Sequence, residues 1–475
     1  MSLRILIASS LLLLGLAADA VNITTAGTLK GTLSPDESAA STLQISGQID
    51  ATDIEYLSSL TSLKTLDLSG AVIVEYNGEP LATGAVHSDP NRIPNYAFVG
   101  SRINSIALPQ SVTSIGEAAF AGSSLQTVYV SSRITDMEDY VFADCPNLET
   151  ASINTTYIPK GTFRGCLKLK SVGVTEALQS IGDDAFAGCS ALPKFSFYKN
   201  LTSIGSDAFF GTALEMADLS RCNDMKTIGD RAFAACKSLT TVYLPKSLTS
   251  IGKGVFFDNI ALETIAIPEG VTDIPDFLFK GALSLGENVL NSMINVTTIG
   301  DYAFMDMTAV TNWRTPDGLE YIGTGAMEGM TGLAMIDATK IATVPSLGEN
   351  VWAGVNQSAV NLSVPQELES EFESADQWKE FNLQRQSGVN GIDNSVLSNS
   401  GVEFYIEAST LHILASTNIS NVVLYDMTGR ALASALGVNA PVTAIDLSNI
   451  QAGVLIVTVE TDDNQTTTVK FVFKG

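Results

Sequence analysis

Cys145, Cys166, Cys189 and Cys236 are the side chains of this 475-residue chain best suited to nucleophilic, redox or metal chemistry. Each lies three residues after a Phe, in a slot that Ser123, Thr212 and Ala282 fill elsewhere. Interchange with small residues reads as a buried column that admits only a small side chain. A disulfide between neighbours in that column needs a dihedral that stacked backbones rarely supply, and five cysteines leave one over. There is no CxxC pair of the kind that builds a zinc site, and Cys222 falls outside the column. Nucleophilic catalysis needs an imidazole beside its nucleophile, yet His87 and His412, the two histidines, are far apart in sequence. Glu367, Glu369, Glu371 and Glu373 read as the solvated face of a helix. Gly323, Thr324 and Gly325 fall on a repeated turn, and HExxH, GxSxG, GxxxxGK[ST] and EF-hand patterns are absent. These residues point away from an enzyme, and neither a cofactor nor a metal is expected.

The element that positions the cysteines is a repeat. Ile93, Ile115, Met137, Ile158, Ile181, Ile204, Ile228, Ile251, Ile274, Ile299, Ile322 and Val344 recur at gaps of 21 to 25 residues, most followed by Gly or Pro. Phe98, Phe120, Phe142, Phe163, Phe186, Phe209, Phe233, Phe256, Phe279 and Phe304 recur in step, with Met327 in the next place. Between them lies a second constant phrase, as in Leu239, Val242, Leu244 and Pro245, whose last apolar positions alternate like a short strand that Pro closes. A unit of about 23 residues cannot bury its own Leu, Ile and Phe; stacked on copies of itself it can. The expected coil has one parallel strand, an Ile in the core, a Gly or Pro turning the backbone, and a Phe returning to the core from the convex side. A dozen coils at roughly 4.8 Å each make a rod or arc somewhat over ~50 Å long.

The phrase Ile-Gly-x-x-Ala-Phe-x-x-Cys/Gly, as in Ile181 to Cys189, resembles BspA-type leucine-rich repeats, the fifth leucine-rich repeat class, over residues 63–365. The resemblance implies a right-handed coil stack, poor in helix, on a bacterial surface protein, with adhesion to host matrix proteins or to other cells as its role. The Asn ladder of other leucine-rich classes is missing.

Both ends of the array read as caps, because an open apolar coil would aggregate. Residues 21–62 supply a strand around Leu43 and Ile45 and a short helix from Asp50. Residues 366–385 carry Leu368, Phe372, Ala375 and Trp378 near helical spacing, with Trp378 as the largest plug. A Gly-, Asn- and Ser-rich linker, 386–400, leads to residues 401–475, whose six or seven short strands predict an antiparallel β-sandwich. Tyr425, Asp426, Met427, Thr428, Gly429 and Arg430, then Asp446, Gly453 and Lys470, resemble the C-terminal sorting domain of type IX secretion cargo, with Leu455 where that family commonly has Tyr. That resemblance implies an address or anchor at the outer surface of a Gram-negative cell.

Residues 1–20 read as a signal peptide: Arg4, an apolar run over 5–16, then Ala18, Asp19 and Ala20. The run is short for a membrane span, so the expected location is exported, at the cell surface or secreted. Fifty-one acidic against 26 basic residues leave a net charge of −25, which disfavours nucleic acid and anionic lipid surfaces as partners. The outward strand face shows Thr127 and Tyr129, Ser171 and Gly173, Lys194 and Ser196, Thr241 and Tyr243, Thr264 and Ala266, and Met335 and Asp337. Tyr buries much area at little rotamer cost. The candidate contact residues for extracellular proteins or cell surfaces are therefore Tyr129, Tyr243, Thr127, Thr241, Thr264 and Ser196. The alternative is a structural surface spacer or scaffold without a ligand.

Overall fold

The computed structural model describes residues 20–384, apart from 80 and 82–86, and residues 402–473, apart from 408, 452 and 464. The expected signal peptide, but for Ala20, and the expected linker over 386–400 lie outside the described residues. The chain forms two compact units. The first runs to Leu362 and takes up Glu371–Asn382; the second comprises Ser363–Ser370 and Leu383–Gly475.

The first unit is a stack of coils. Each apolar column of the sequence becomes a buried column: Ile93, Ile115, Ile299 and Ile322 are fully buried, as are Phe98, Phe163, Phe186 and Phe209. Successive Phe rings lie nearly parallel, with centroids 5.3 Å apart for Phe98 and Phe120, 5.2 Å for Phe186 and Phe209, and 6.0 Å for Phe233 and Phe256. Offset stacking of this kind adds about 0.5–1.5 kcal/mol per pair beyond the burial of the rings.

Where one parallel strand per coil was expected, most coils have two. The Leu-x-x-Val-x-Leu phrase forms strands such as Thr127–Val130, Thr150–Ile153 and Ser171–Val174, paired in parallel register. The Ile-Gly phrase forms its own ladder: Tyr157–Ile158, Ser180–Ile181, Ser203–Ile204, Thr227–Ile228 and Ser250–Ile251 make a five-stranded parallel sheet. Gly229 N–H donates to Ile204 O at 2.9 Å and Gly252 N–H to Ile228 O at 2.9 Å, so the presumed corner is a continuous run of hydrogen bonds. Its glycine answers to proximity rather than to turning. A Cβ on Gly229 would lie 2.5 Å from Ser206 N, inside the neighbouring coil. The turning falls to residues with left-handed backbone further on, such as Asp207 at φ 55° and Gly211 at φ 66°.

In the final coil the ladder position of the Ile column falls to Leu347, itself half-buried, and not to Val344. Ile322 pairs with Leu347, and Trp352, five residues on, takes the place of Phe. Gly348 follows Leu347 as Gly follows Ile elsewhere; an insertion before the strand carries Val344 out of register.

At the front, Val21–Ile23, Thr42–Ile49, Thr65–Ile73 and Ser105–Ala107 form one parallel sheet. The helix Ala51–Ser59 begins at a capping box between Asp50 and Asp53. Asp53, nearly fully buried, also accepts from the Gly27 and Leu29 N–H groups at 2.7 and 2.9 Å. At the back, the stretch read as one helix is a 3₁₀ turn Gln366–Leu368, a short helix Glu369–Ser374 and a second 3₁₀ turn Trp378–Glu380. Trp378 packs against Trp352, Phe372 and Phe381 at 5.3–5.8 Å, and its indole N–H donates to Pro345 O at 3.0 Å. Gln377 stands in for a further coil: its Oε1 accepts from Val351 N at 2.8 Å and its Nε2 donates to Gly348 O at 2.7 Å.

The second unit holds one antiparallel sheet of five strands: Val402–Glu407, Thr410–Asp426, Ala431–Asp446, Gly453–Thr461 and Thr466–Phe473. The runs 411–414 and 422–425, counted separately in the sequence, belong to a single 17-residue strand. Its early part pairs with Val402–Glu407 and its late part with Gly453–Thr461, while Ala431–Asp446 follows it throughout. A register shift between Leu414 and Ile419 marks the bend. The curled sheet encloses one core that includes Leu411, Ile413, Val422, Leu424, Val457 and Val459.

Candidate binding face

The strand face takes its chemistry from what alternation points outward. Thr127 and Tyr129 flank Val128, and in the next coils Thr150 and Ser171 lie beside Thr127, Ser152 and Gly173 beside Tyr129. Tyr129 is 65% exposed, and its hydroxyl accepts from Asn154 Nδ2 at 3.2 Å. Further along, Met216 pairs with Thr241, and Asp218 with Tyr243; Thr241 is bridged in turn by Thr264. Tyr243 is 47% exposed, Thr264 is exposed and Thr241 is half-buried. Tyr129 and Tyr243 thus stand in one column, five coils apart.

Ser196 is exposed on the coil between these two groups, but residues 191–198 form no strand. Pro193 withholds an N–H, and Phe195 and Phe197 both turn inward, packing on Phe209 at 5.2 and 5.5 Å. The strand face, expected to show Lys194 and Ser196 in line with its neighbours, is therefore interrupted. It is interrupted again beyond Thr264, where the helix Asn288–Asn291 replaces the strand, and resumes at Asn312–Arg314 and Met335–Asp337.

The candidate chemical groups are spoken for. Cys145, Cys166, Cys189 and Cys236 are free and buried, and each thiol donates to a Phe carbonyl of another coil: Cys166 to Phe142 O, Cys189 to Phe163 O and Cys236 to Phe209 O, all at 3.1 Å. Contact with Cys145 and then burial push the Cys166 thiol up; burial pushes Cys189 up to about 12 and Cys236 up to about 11. Cys166, Cys189 and Cys236, held neutral and out of solvent, are poor nucleophiles; contact with Cys166 draws the Cys145 thiol down, but that side chain is fully buried. Cys222, unassigned in the sequence, donates to Tyr198 O at 3.4 Å. His87 lies on a hairpin, Tyr76–Asn77 with His87–Ser88, held by Asn77 and Asp89. Among the described residues no group of His, Cys, Asp and Glu is arranged to hold a metal ion.

Threonine hydroxyls add bonds between neighbouring coils. Thr202 Oγ1 donates to Gln179 O at 3.0 Å, Thr249 Oγ1 to Lys226 O and Thr297 Oγ1 to Thr272 O at 3.4 Å. Sequence reasoning missed this column, whose only signal is a Thr recurring two residues before the Ile.

This geometry has a counterpart in known families. BspA-type leucine-rich repeat regions, a family defined on six copies, match at residues 91–215, 156–286 and 297–422, about two thirds of the chain. The chain belongs to the BspA-type leucine-rich repeat family. Residues 391–473 match a family described only as a domain of unknown function, DUF8694. No curated protein matches. Among solved structures, a leucine-rich repeat protein from Bacteroides ovatus is 22% identical, with a TM-score of 0.54 over 72% of this chain and 84% of that one. A leucine rich cell surface protein from Faecalibacterium prausnitzii is 20% identical, covering 62% and 79%, and the pneumococcal vaccine antigen PcpA 16%, covering 72% and 79%, both at a TM-score of 0.34. The Bacteroides ovatus structure supports the solenoid fold of this BspA-type chain. No described helix is long and apolar enough to cross a membrane.

Proposed function

We propose that this BspA-type protein is exported and acts without catalysis, binding extracellular proteins or cell surfaces through its strand face. The observation that carries the reading is the pair Tyr129 and Tyr243, large side chains 65% and 47% exposed on strands that pair with neighbouring coils. Rigid aromatic anchors on a preorganised surface are what protein partners select. Thr127, Thr241, Thr264 and Ser196 complete the contact set. In this reading residues 21–62 and 366–385 cap a solenoid over 63–365, residues 1–20 are removed on export, and 401–475, with its curled sheet working as a β-sandwich, is the sorting or anchoring element. The experiment is saturation binding of the full chain to host matrix proteins and to whole cells. Tyr129→Ala with Tyr243→Ala should abolish saturable binding while the far-UV circular dichroism stays unchanged; undiminished binding by the double variant refutes the assignment.

The second reading, a surface spacer, draws on the interruption at 191–198, which leaves no long continuous face. Absence of saturable binding by the unmodified chain to either target decides for the spacer.

A further inference from the structure

Cations are scarce in this chain, with 26 Lys and Arg in 475 residues and a net charge of −25. Residues 160–199 reverse the balance: Lys160, Arg164, Lys168, Lys170, Lys194 and Lys199 outnumber Glu176, Asp183 and Asp184. Four of these lysines lie along the strand side. Lys168 and Lys170 precede the strand Ser171–Val174; Lys194 follows buried Leu192 by two residues, as Ser171 follows buried Leu169; and Lys199 lies just beyond the interrupted stretch. All four are exposed. Lys168 donates to Asn147 Oδ1 at 2.9 Å and Lys170 pairs with Glu149 at 3.0 Å, while Lys194 and Lys199 enter no ion pair among the described residues. The patch sits between the columns' two tyrosines, Tyr129 and Tyr243, where the strand ladder is broken.

We infer that this part of the strand face recognises an acidic polysaccharide, a linear chain bearing uronate or sulfate groups. The inference rests on the strand face being the binding face. Charge complementarity fixes the sign of the ligand, and the acidic remainder of the molecule fixes its shape. Attraction by a local cation cluster reaches only about one Debye length, roughly 8 Å at physiological salt, so the ligand must touch the lysines while keeping its own anions off the acidic coils. A thin chain does so; a broad anionic surface does not. The neighbouring groups favour sugar over peptide. Thr127, Thr150, Ser152, Ser171 and Ser196 offer hydroxyls that both donate and accept, as sugar hydroxyls do, and the Asn154 contact steadies Tyr129 for stacking on a pyranose face.

The full chain, passed over immobilised heparin at about 0.15 M salt, is expected to be retained. Combined Lys168→Glu and Lys194→Glu should weaken retention about tenfold with unchanged circular dichroism, and free heparin should compete where neutral dextran does not. No retention of the unmodified chain, or equal retention of the charge-reversed one, overturns the inference. Competition by polyglutamate as strong as by heparin overturns it in favour of an acidic protein segment. The tyrosine variants separate this from the proposed function. If they bind matrix proteins and cells normally while lysine-dependent heparin retention persists, the tyrosine assignment fails alone; if they lose cells and matrix proteins while heparin never binds, only the polysaccharide fails.

Discussion

Between Phe98 and Trp352 the phenylalanine side of the coil is unbroken. Phe98 N–H donates to Ala119 O, Phe120 to Val141 O, Phe209 to Ala232 O, Phe304 to Ala326 O and Met327 to Val351 O, at 2.6–3.1 Å, each time to the residue before the next ring or its substitute. The strand side of the same coils breaks at 191–198, thins to one bridge at Thr264 and gives way to the helix Asn288–Asn291. Both sides bury apolar columns, but only one tolerates interruption. Cohesion between coils therefore belongs to the ring side and its left-handed turns, and the strand side is free to differ from coil to coil. That freedom is what a recognition surface needs.

The sharpest way to break this contrast is to cut the ring column at its centre. Phe209 stacks on Phe186 and Phe233 and meets Phe195 and Phe197 edge-on. Phe209→Ala should cost about 3–5 kcal/mol, read from guanidinium unfolding by far-UV circular dichroism. The three tryptophans, Trp313, Trp352 and Trp378, all lie in the last coils and their cap, so their fluorescence reports that end alone. A co-operative stack moves both signals together. A circular dichroism transition that shifts while the fluorescence midpoint stays put would mean that the coils near Phe209 unfold separately from the last ones.

Two glycines sharpen it further. Gly229→Ala drives a Cβ to 2.5 Å from Ser206 N on the Ile-Gly ladder and should cost about 1–3 kcal/mol by overpacking. Gly173→Ala, on the strand face, meets nothing closer than 3.9 Å and should stay within about 0.5 kcal/mol. Equal effects in the same unfolding assay would erase the distinction between the two sides.

The sequence made the apolar columns plain because their period exceeds any local accident; ten Phe in step with eleven Ile and Met admit one reading. The second ladder was hidden because a two-residue strand has no alternation to display, and Ile-Gly looks like a turn until the neighbouring coil supplies its partner. The period points to Val344, and only the pairing of Ile322 brings in Leu347. In the second unit period two was visible in 411–414 and in 422–425, but the bend that joins them depends on tertiary closure. For the face, alternation told which side chains point outward. It could not reveal the break at 191–198, which begins where Pro193 has no N–H to give the ladder.

The cysteine column belongs to the ring side and should show a smaller effect. Cys189→Ala removes the thiol's bond to Phe163 O, about 0.5–1.5 kcal/mol, and Cys189→Ser should recover part of it. All five thiols are buried and free, so an aromatic disulfide reagent should titrate none in the native chain and five after unfolding. Prompt reaction of any thiol in the native state would mean that the coils open locally.

The smallest effect on stability is expected where the largest effect on recognition is claimed. Tyr129 makes one side-chain hydrogen bond, from Asn154 at 3.2 Å, and leaves most of its surface in water. Truncation to Ala removes little that folding gained, so the unfolding midpoint should move by no more than about 0.5 kcal/mol. A larger loss would mean that the ring holds the coils of Thr127–Val130 and Thr150–Ile153 together, and Tyr129 would then belong with the columns. A near-zero loss, paired with lost attachment to matrix proteins or cells, leaves its exposure without a folding explanation and divides the coil into a side that holds and a side that meets.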